Sequence, residues 1–263
     1  MEIYLKNSSA LDLVFKCDKN VIEFEGKSIK PDIRRVKDMK DVVYDKEWME
    51  NADGEKPLYL MFRGVCNEED KEDIEKNNLR YDITIIFPSM MGVELPKTKG
   101  HYHPNVVGSD ISYPEIYEVL HGKAHYIMQK IDKKGNVVDA YIVKAEVGEK
   151  IIIPPGYGHI TVNPVNDILI MANWSEKNFV SDYGSLVKYG GAAYFEVRVN
   201  DDTTMITNEK YSNIAKLREV RVTNSKLLEL EEGKPMYKLV KNIGMLDFLV
   251  HPQNHIDFFK KVF

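Results

Sequence analysis

Cysteine is scarce in this 263-residue chain: Cys17 and Cys66 are the only two, with no metal-type spacing between them. That argues against a disulfide framework and against a thiolate zinc site. No apolar run approaches eighteen residues, so no membrane-spanning helix is expected. The opening Met1–Lys6 lacks the basic and apolar regions of a signal peptide, and the expected compartment is a reducing cytoplasm. Repeats and low-complexity tracts are absent. Positive charge is in deficit as well: 36 Lys and Arg against 41 Asp and Glu leave a net charge of −5. No basic and aromatic cluster compensates, so a polyanion would be repelled and a nucleic-acid partner is not expected. What remains is an ordinary soluble composition, 43% hydrophobic and 29% charged. The length fits one large β domain with appendages, or one domain with a small second one.

Long helical periodicity is missing from residues 80 to 200, which disfavours an α/β fold. Short branched and aromatic runs recur there at about ten-residue spacing, at Tyr81–Phe87, Ile116–Leu120, His125–Gln129, Ala140–Lys144, Lys150–Ile153, His159–Asn163 and Ile168–Trp174. Gly, Pro and Asn punctuate them, as in the turn His121-Gly122-Lys123, and the pattern predicts an antiparallel sandwich or barrel. Residues 1 to 60 mix short extended runs with a helical stretch around Asp38–Asn51 and read as covering material. Arg34 and Arg35 are read as a solvated ion-pair face rather than a phosphate clamp. Asn67–Asn78 carries one apolar residue in a charge run and reads as an exposed loop or short surface helix. Beyond Tyr211 the texture turns helical or mixed. Leu227, Leu228 and Leu230 lie among Glu229, Glu231 and Glu232, and Phe258, Phe259, Val262 and Phe263 cluster at the end. The expected division is residues 1–211, a barrel with an N-terminal covering segment, and 212–263, an extension packed on the barrel or on a second subunit.

Chemistry concentrates at Lys97-Thr98-Lys99-Gly100-His101-Tyr102-His103. Side chains two apart on an extended strand share a face, so His101 and His103 converge. Gly148 to Asn163 supplies His159 on a strand entered through Pro154-Pro155-Gly156, and Glu115 lies between the two segments. Three neutral imidazoles and a carboxylate suit a borderline divalent cation with coordination positions left for substrate. Glu118 is the competing carboxylate, but three residues on it faces the other side of a strand. His121, His125, His251 and His255 lack matching partners and read as structural.

The second segment follows G-x5-P-x-G-x2-H-x3-N without a mismatch, and Glu115-x6-Gly122 closes the first, so the chain resembles the cupin superfamily. Two departures stand out: Leu95 replaces a leading glycine, and eleven residues separate His103 from Glu115 where three or four are usual. Pro104–Pro114 reads as a lengthened loop. The resemblance narrows to the archaeal-type glucose-6-phosphate isomerases through Thr98–His103, Glu115-Ile116-Tyr117, Leu120-His121-Gly122, Pro154-Pro155, His159–Asn163 and Asp182-Tyr183-Gly184, with similar segments at Ile33–Met39 and Thr84–Pro88. It spans roughly residues 20 to 210. Ser181 stands where that family often has histidine, and residues 212–263 have no counterpart in its short members.

The resemblance implies a mainly β, cupin-type antiparallel barrel (jelly roll) and a metal held by His101, His103, Glu115 and His159. Iron(II) is expected first, with manganese(II), nickel(II) and zinc(II) compatible. Thr84, Thr98, Gly100, Tyr117 and Tyr183 would line a sugar-phosphate pocket. Glu115 and Tyr117 would be the catalytic side chains of an aldose–ketose isomerase, with Glu115 moving a proton between C1 and C2. A homodimer is expected. Two alternatives use the same ligands: a cupin dioxygenase, and a sugar-binding cupin without catalysis.

Overall fold

The computed structural model describes residues 1–200, 202–221, 224–230 and 233–262, of which Asn224 and Ser225 are described in backbone only. Glu231, Glu232 and Phe263 lie outside the described residues. In chain order the strands are β1 Glu2–Tyr4, β2 Leu13–Lys16, β3 Val21–Phe24, β4 Lys27–Ile29, β5 Asp32–Arg35, β6 Pro57–Phe62, β7 Leu79–Ile86 and β8 Glu115–His121. They continue with β9 Lys123–Ile131, β10 Val137–Glu146, β11 Lys150–Ile153, β12 Gly158–Val162, β13 Leu169–Glu176, β14 Tyr194–Val199, β15 Asp202–Thr207 and β16 Arg218–Val220.

Two sheets make the body, one ordered β12-β9-β10-β16 and one ordered β11-β8-β13-β7-β6-β5. The fold is mainly β, two sheets packed face to face. All pairings within these sheets are antiparallel except that of β10 with β16, which is parallel. One apolar core fills the space between the sheets, with Tyr126, Met128, Ile151, Ile160 and Met171. A second lies on the outer side of the six-stranded sheet, where Ile83, Ile116 and Trp174 meet Phe15 and Ile22 of the N-terminal sheet β1–β4 and Tyr237 and Leu249 of the C-terminal segment. That sheet is therefore buried on both faces, and β8 and β13 read as nearly continuous buried runs rather than alternating ones.

The expected helix over Asp38–Asn51 is broken in two. A 3-10 turn spans Val36–Met39, buried Val42 and Val43 follow, and a new helix, Lys46–Asn51, starts at Asp45, whose carboxylate accepts the Trp48 N–H. The apolar pair is claimed by the inner core, which a continuous surface helix would not permit. The charge run at residues 67–78 forms a 3-10 turn, Glu68–Asp70, and a short helix, Lys71–Lys76, that buries its one apolar residue, Ile74.

A candidate metal centre in the barrel

The segment 97–103 is extended but forms isolated bridges, Lys97 to Val162 and His101 to His159, rather than a named strand. The register slips between them because Gly100 has φ +74°, a left-handed conformation suited to glycine. A Cβ there would lie 2.4 Å from Ile160 Cγ1 and 3.1 Å from the His159 carbonyl oxygen. Gly100 thus draws the two histidine segments together, as well as lining the pocket.

His101, His103, Glu115 and His159 each present one ligand atom, and all four atoms lie within 4.8 Å of one another. His101 Nε2 and His103 Nε2 are 3.0 Å apart, and Glu115 Oε2 is 3.4 Å from His103 Nε2 and 3.3 Å from His159 Nε2. Burial holds the pKa of His101 well below its ordinary value and lowers that of His159, so both imidazoles are neutral with lone pairs to give. Burial alone would raise the Glu115 carboxyl. The neighbouring His103 and His159 rings outweigh it and hold the carboxyl well below its usual range. His103 Nδ1 is 2.8 Å from the Tyr113 carbonyl oxygen, a partner that can only accept, so Nδ1 carries the proton and Nε2 is free as a ligand. Neutral nitrogens and a carboxylate oxygen converging on one buried point fit a divalent cation. The lengthened loop still delivers the carboxylate, and its end supplies the carbonyl that sets His103.

The outer atoms of the cluster are also held. Tyr117 Oη donates to Glu115 Oε2 at 2.8 Å, and Asn173 Nδ2 donates to Glu115 Oε1 at 2.7 Å. Burial, with Glu115 alongside, pushes the Tyr117 hydroxyl well above its ordinary pKa, so it stays a donor. Glu118 is on the opposite face, buried in a 2.8 Å ion pair with Lys150 and accepting the Met236 N–H at 2.7 Å.

Thr84, Thr98, Gly100, Tyr117 and Tyr183 all border one pocket with His101, Glu115 and His159. Thr98 Oγ1 accepts the Thr161 N–H at 3.0 Å, which leaves its own proton for a ligand. The flanking lysines differ from a solvated pair. Lys97 is buried, 2.6 Å from Glu94 and donating to the Val42 carbonyl oxygen, and the Lys99 ammonium lies 5.5 Å from the Tyr183 ring. Arg35 does pair outward, with Glu55, but Arg34 turns in and lies 5.7 Å from the Tyr183 ring. The remaining histidines are not metal ligands among the described residues, yet each has a carboxylate: His121 near Asp167, His125 on Glu196, and His251 and His255 sharing Asp247.

The sequence reading missed several lining residues: Tyr59, Arg63, Arg80, Asn173 and Phe179. Period two on β7 carries Thr84 back to Asp82 and Arg80, and that step would have found two charged residues on the pocket face. Phe179 stacks on Tyr113 of the long loop and lies 4.4 Å from the His103 ring, a contact no spacing announces.

Comparison with known proteins adds the following. The model of the glucose-6-phosphate isomerase family matches residues 33–215. A glucose-6-phosphate isomerase of Pyrococcus horikoshii is 26% identical over 182 residues, 69% of this chain and 88% of that protein. One from Thermococcus litoralis is 28% identical over 162 residues, 61% of this chain and 77% of that protein. Among solved structures, oxalate decarboxylase from Bacillus subtilis aligns over 47% of this chain and 27% of its own, at 13% identity and a TM-score of 0.33.

Proposed function

The chain belongs to the glucose-6-phosphate isomerase family, and from that premise we propose that it interconverts glucose 6-phosphate and fructose 6-phosphate at the buried three-histidine, one-glutamate cluster. The observation that carries this reading is the convergence of four ligand atoms within 4.8 Å at a pocket that also presents hydroxyls and cations. His101, His103, Glu115 and His159 would hold a divalent cation, iron(II) first, with manganese(II), nickel(II) or zinc(II) accepted by the same donors. A cation held there would supply the positive charge that stabilises oxygen as hydrogen moves between the two carbons.

The chain's own residues do the rest. Glu115 is ionised and can take a proton from one carbon and return it to the next. Its Oε1 is held by Asn173 and its Oε2 by Tyr117, so the carboxylate is oriented from both sides. Tyr117, kept protonated, would turn its one proton from Glu115 Oε2 to a substrate oxygen that gains charge as the carboxylate takes up the carbon-bound proton. At the other end Thr84, Thr98, the Gly100 backbone and Tyr183 would take the phosphate, with Lys99 and Arg34 adding positive field behind Tyr183. We place the enzyme in the cytoplasm as a homodimer, as the family resemblance implies; Phe258 and Phe259 themselves pack against Phe248 of the same chain.

The test is a coupled assay converting fructose 6-phosphate to glucose 6-phosphate, before and after exhaustive chelation. Turnover lost on chelation and restored by metal is expected. Full turnover by demonstrably metal-free protein would overturn the metal-dependent reading, and oxygen uptake in its place would transfer the site to a different chemistry.

A further inference from the structure

Arg63 and Arg80 are the pocket's unexplained residues. On the six-stranded sheet the register aligns Tyr117 with Asn173 and Asn173 with Asp82, so Asp82 lies in the same cross-strand row as the residues that hold Glu115. Asp82 is fully buried. It accepts from Arg63 Nη1 at 2.7 Å, Arg80 Nε at 2.9 Å and the Gly64 N–H at 2.9 Å. Two guanidiniums share one buried carboxylate, so this cluster carries one more positive than negative charge, and Glu115 of the same pocket acts on Arg63 only weakly. Asp32, the other carboxylate near Arg63, is 3.9 Å away and largely exposed, so water screens it. Arg63 Nη2 donates to Met61 Sδ, a weak acceptor that an anionic oxygen would outcompete. Both arginines border the pocket with Glu115 and His101, and Thr84 continues the β7 pocket face two residues beyond Asp82. Although burial opposes its charge, Asp82 and more weakly Glu115 keep the Arg63 pKa above its ordinary value.

We propose that Arg63, fixed by Asp82 and backed by Arg80, is a specificity-determining cation that takes negative charge at the C1–C2 end of the sugar phosphate. This deepens the isomerase reading and rests on it. The site then prefers a six-carbon phosphate with a carboxylate at C1 over the corresponding alditol, beyond the preference contributed by the metal ligands. Arg63 also favours the substrate form in which proton removal has placed charge on oxygen.

The experiment is calorimetric binding of 6-phosphogluconate and glucitol 6-phosphate to the metal-loaded protein, for wild type, Arg63→Lys and Arg63→Met. These ligands share the phosphate and differ in charge at C1. Arg63→Met should weaken 6-phosphogluconate about ten- to a hundredfold, the range for a charge-assisted hydrogen bond, while glucitol 6-phosphate changes less than about threefold. Arg63→Lys should recover part of the lost preference. In turnover, Arg63→Met should lower kcat more than it raises KM. Equal weakening of both ligands would reduce Arg63 to a structural partner of Asp82 and overturn the proposal, as would unchanged binding of both. If wild type bound neither phosphate, the isomerase reading itself would fall, and this proposal with it.

Discussion

Glu115 and Glu118 differ by three residues on one strand and by everything around them. Glu115 sits among three imidazoles, Tyr117 and Asn173, whereas Glu118 meets Lys150 and the Met236 N–H. Glu115→Gln should cut metal occupancy and turnover by orders of magnitude, read by metal analysis and the coupled assay. Glu118→Gln should leave metal occupancy intact. If the effects were exchanged, the face assignment of β8 would be wrong. The same two faces pull stability in opposite directions with pH. His101 and His159 have folded pKa values below their ordinary 6.5, so they favour the fold above that pH and lose this contribution as pH falls and the unfolded chain takes up protons first. Burial raises Glu118 from 4.5 to about 7, so the folded state holds its proton longer and stability falls as pH climbs through that interval. In metal-free protein, Glu118→Gln should remove the falling component and leave stability rising between pH 4.5 and 7. Urea unfolding at several pH values checks this, and identical profiles in the two proteins would sink it.

At the level of elements, the sequence made the ligand segments legible because each obeys a local rule: histidines two apart, a Pro-Pro-Gly entry, a carboxylate seven residues before Gly122. Lys150–Ile153 was read to the residue for a similar reason, since a branched run between turn residues carries its own boundaries. What stayed hidden depends on long-range pairing. Arg63 lies nineteen positions from Asp82, and the Lys97 ammonium reaches the Val42 carbonyl, so neither partnership leaves a local pattern. The helix expected over residues 38–51 failed because core burial of Val42 and Val43 overrode propensity. Gly100 shows how one backbone conformation organises two elements. Gly100→Ala would force a Cβ against Ile160 and strain a positive φ, and about 1–3 kcal/mol is the cost of holding a non-glycine residue in such a conformation before any clash. The expected outcome is lower metal affinity with a reduced melting temperature; a variant with wild-type metal affinity would show that the 97–103 segment reaches its position without this turn.

Over the whole molecule, the two cores divide the labour: the inner one shapes the pocket, and the outer one determines whether the six-stranded sheet can exist in water. We propose that residues 212–263 belong to that second task and carry no ligand. Leu228, Met236, Tyr237, Leu239, Val240, Leu246, Phe248 and Leu249 are all buried in the outer core. Tyr237 packs edge-on against Tyr81 and stacks on Trp174, and β16 extends the other sheet through β10. Each large apolar side chain contributes roughly 1.5–3 kcal/mol on burial, so removing eight forfeits about 12–24 kcal/mol, comparable to or above the about 5–15 kcal/mol by which domains are stable. Truncation would also uncover Trp174, Tyr81 and Ile116 and leave the Glu118–Lys150 pair without its Met236 cap. A chain ending at residue 211 should therefore lose its cooperative unfolding transition and aggregate, although all four candidate ligands are retained. Calorimetry and light scattering of the truncated and full chains test this. A truncated protein that unfolded cooperatively near the full-length temperature and still bound metal would show that the barrel stands without its outer cover.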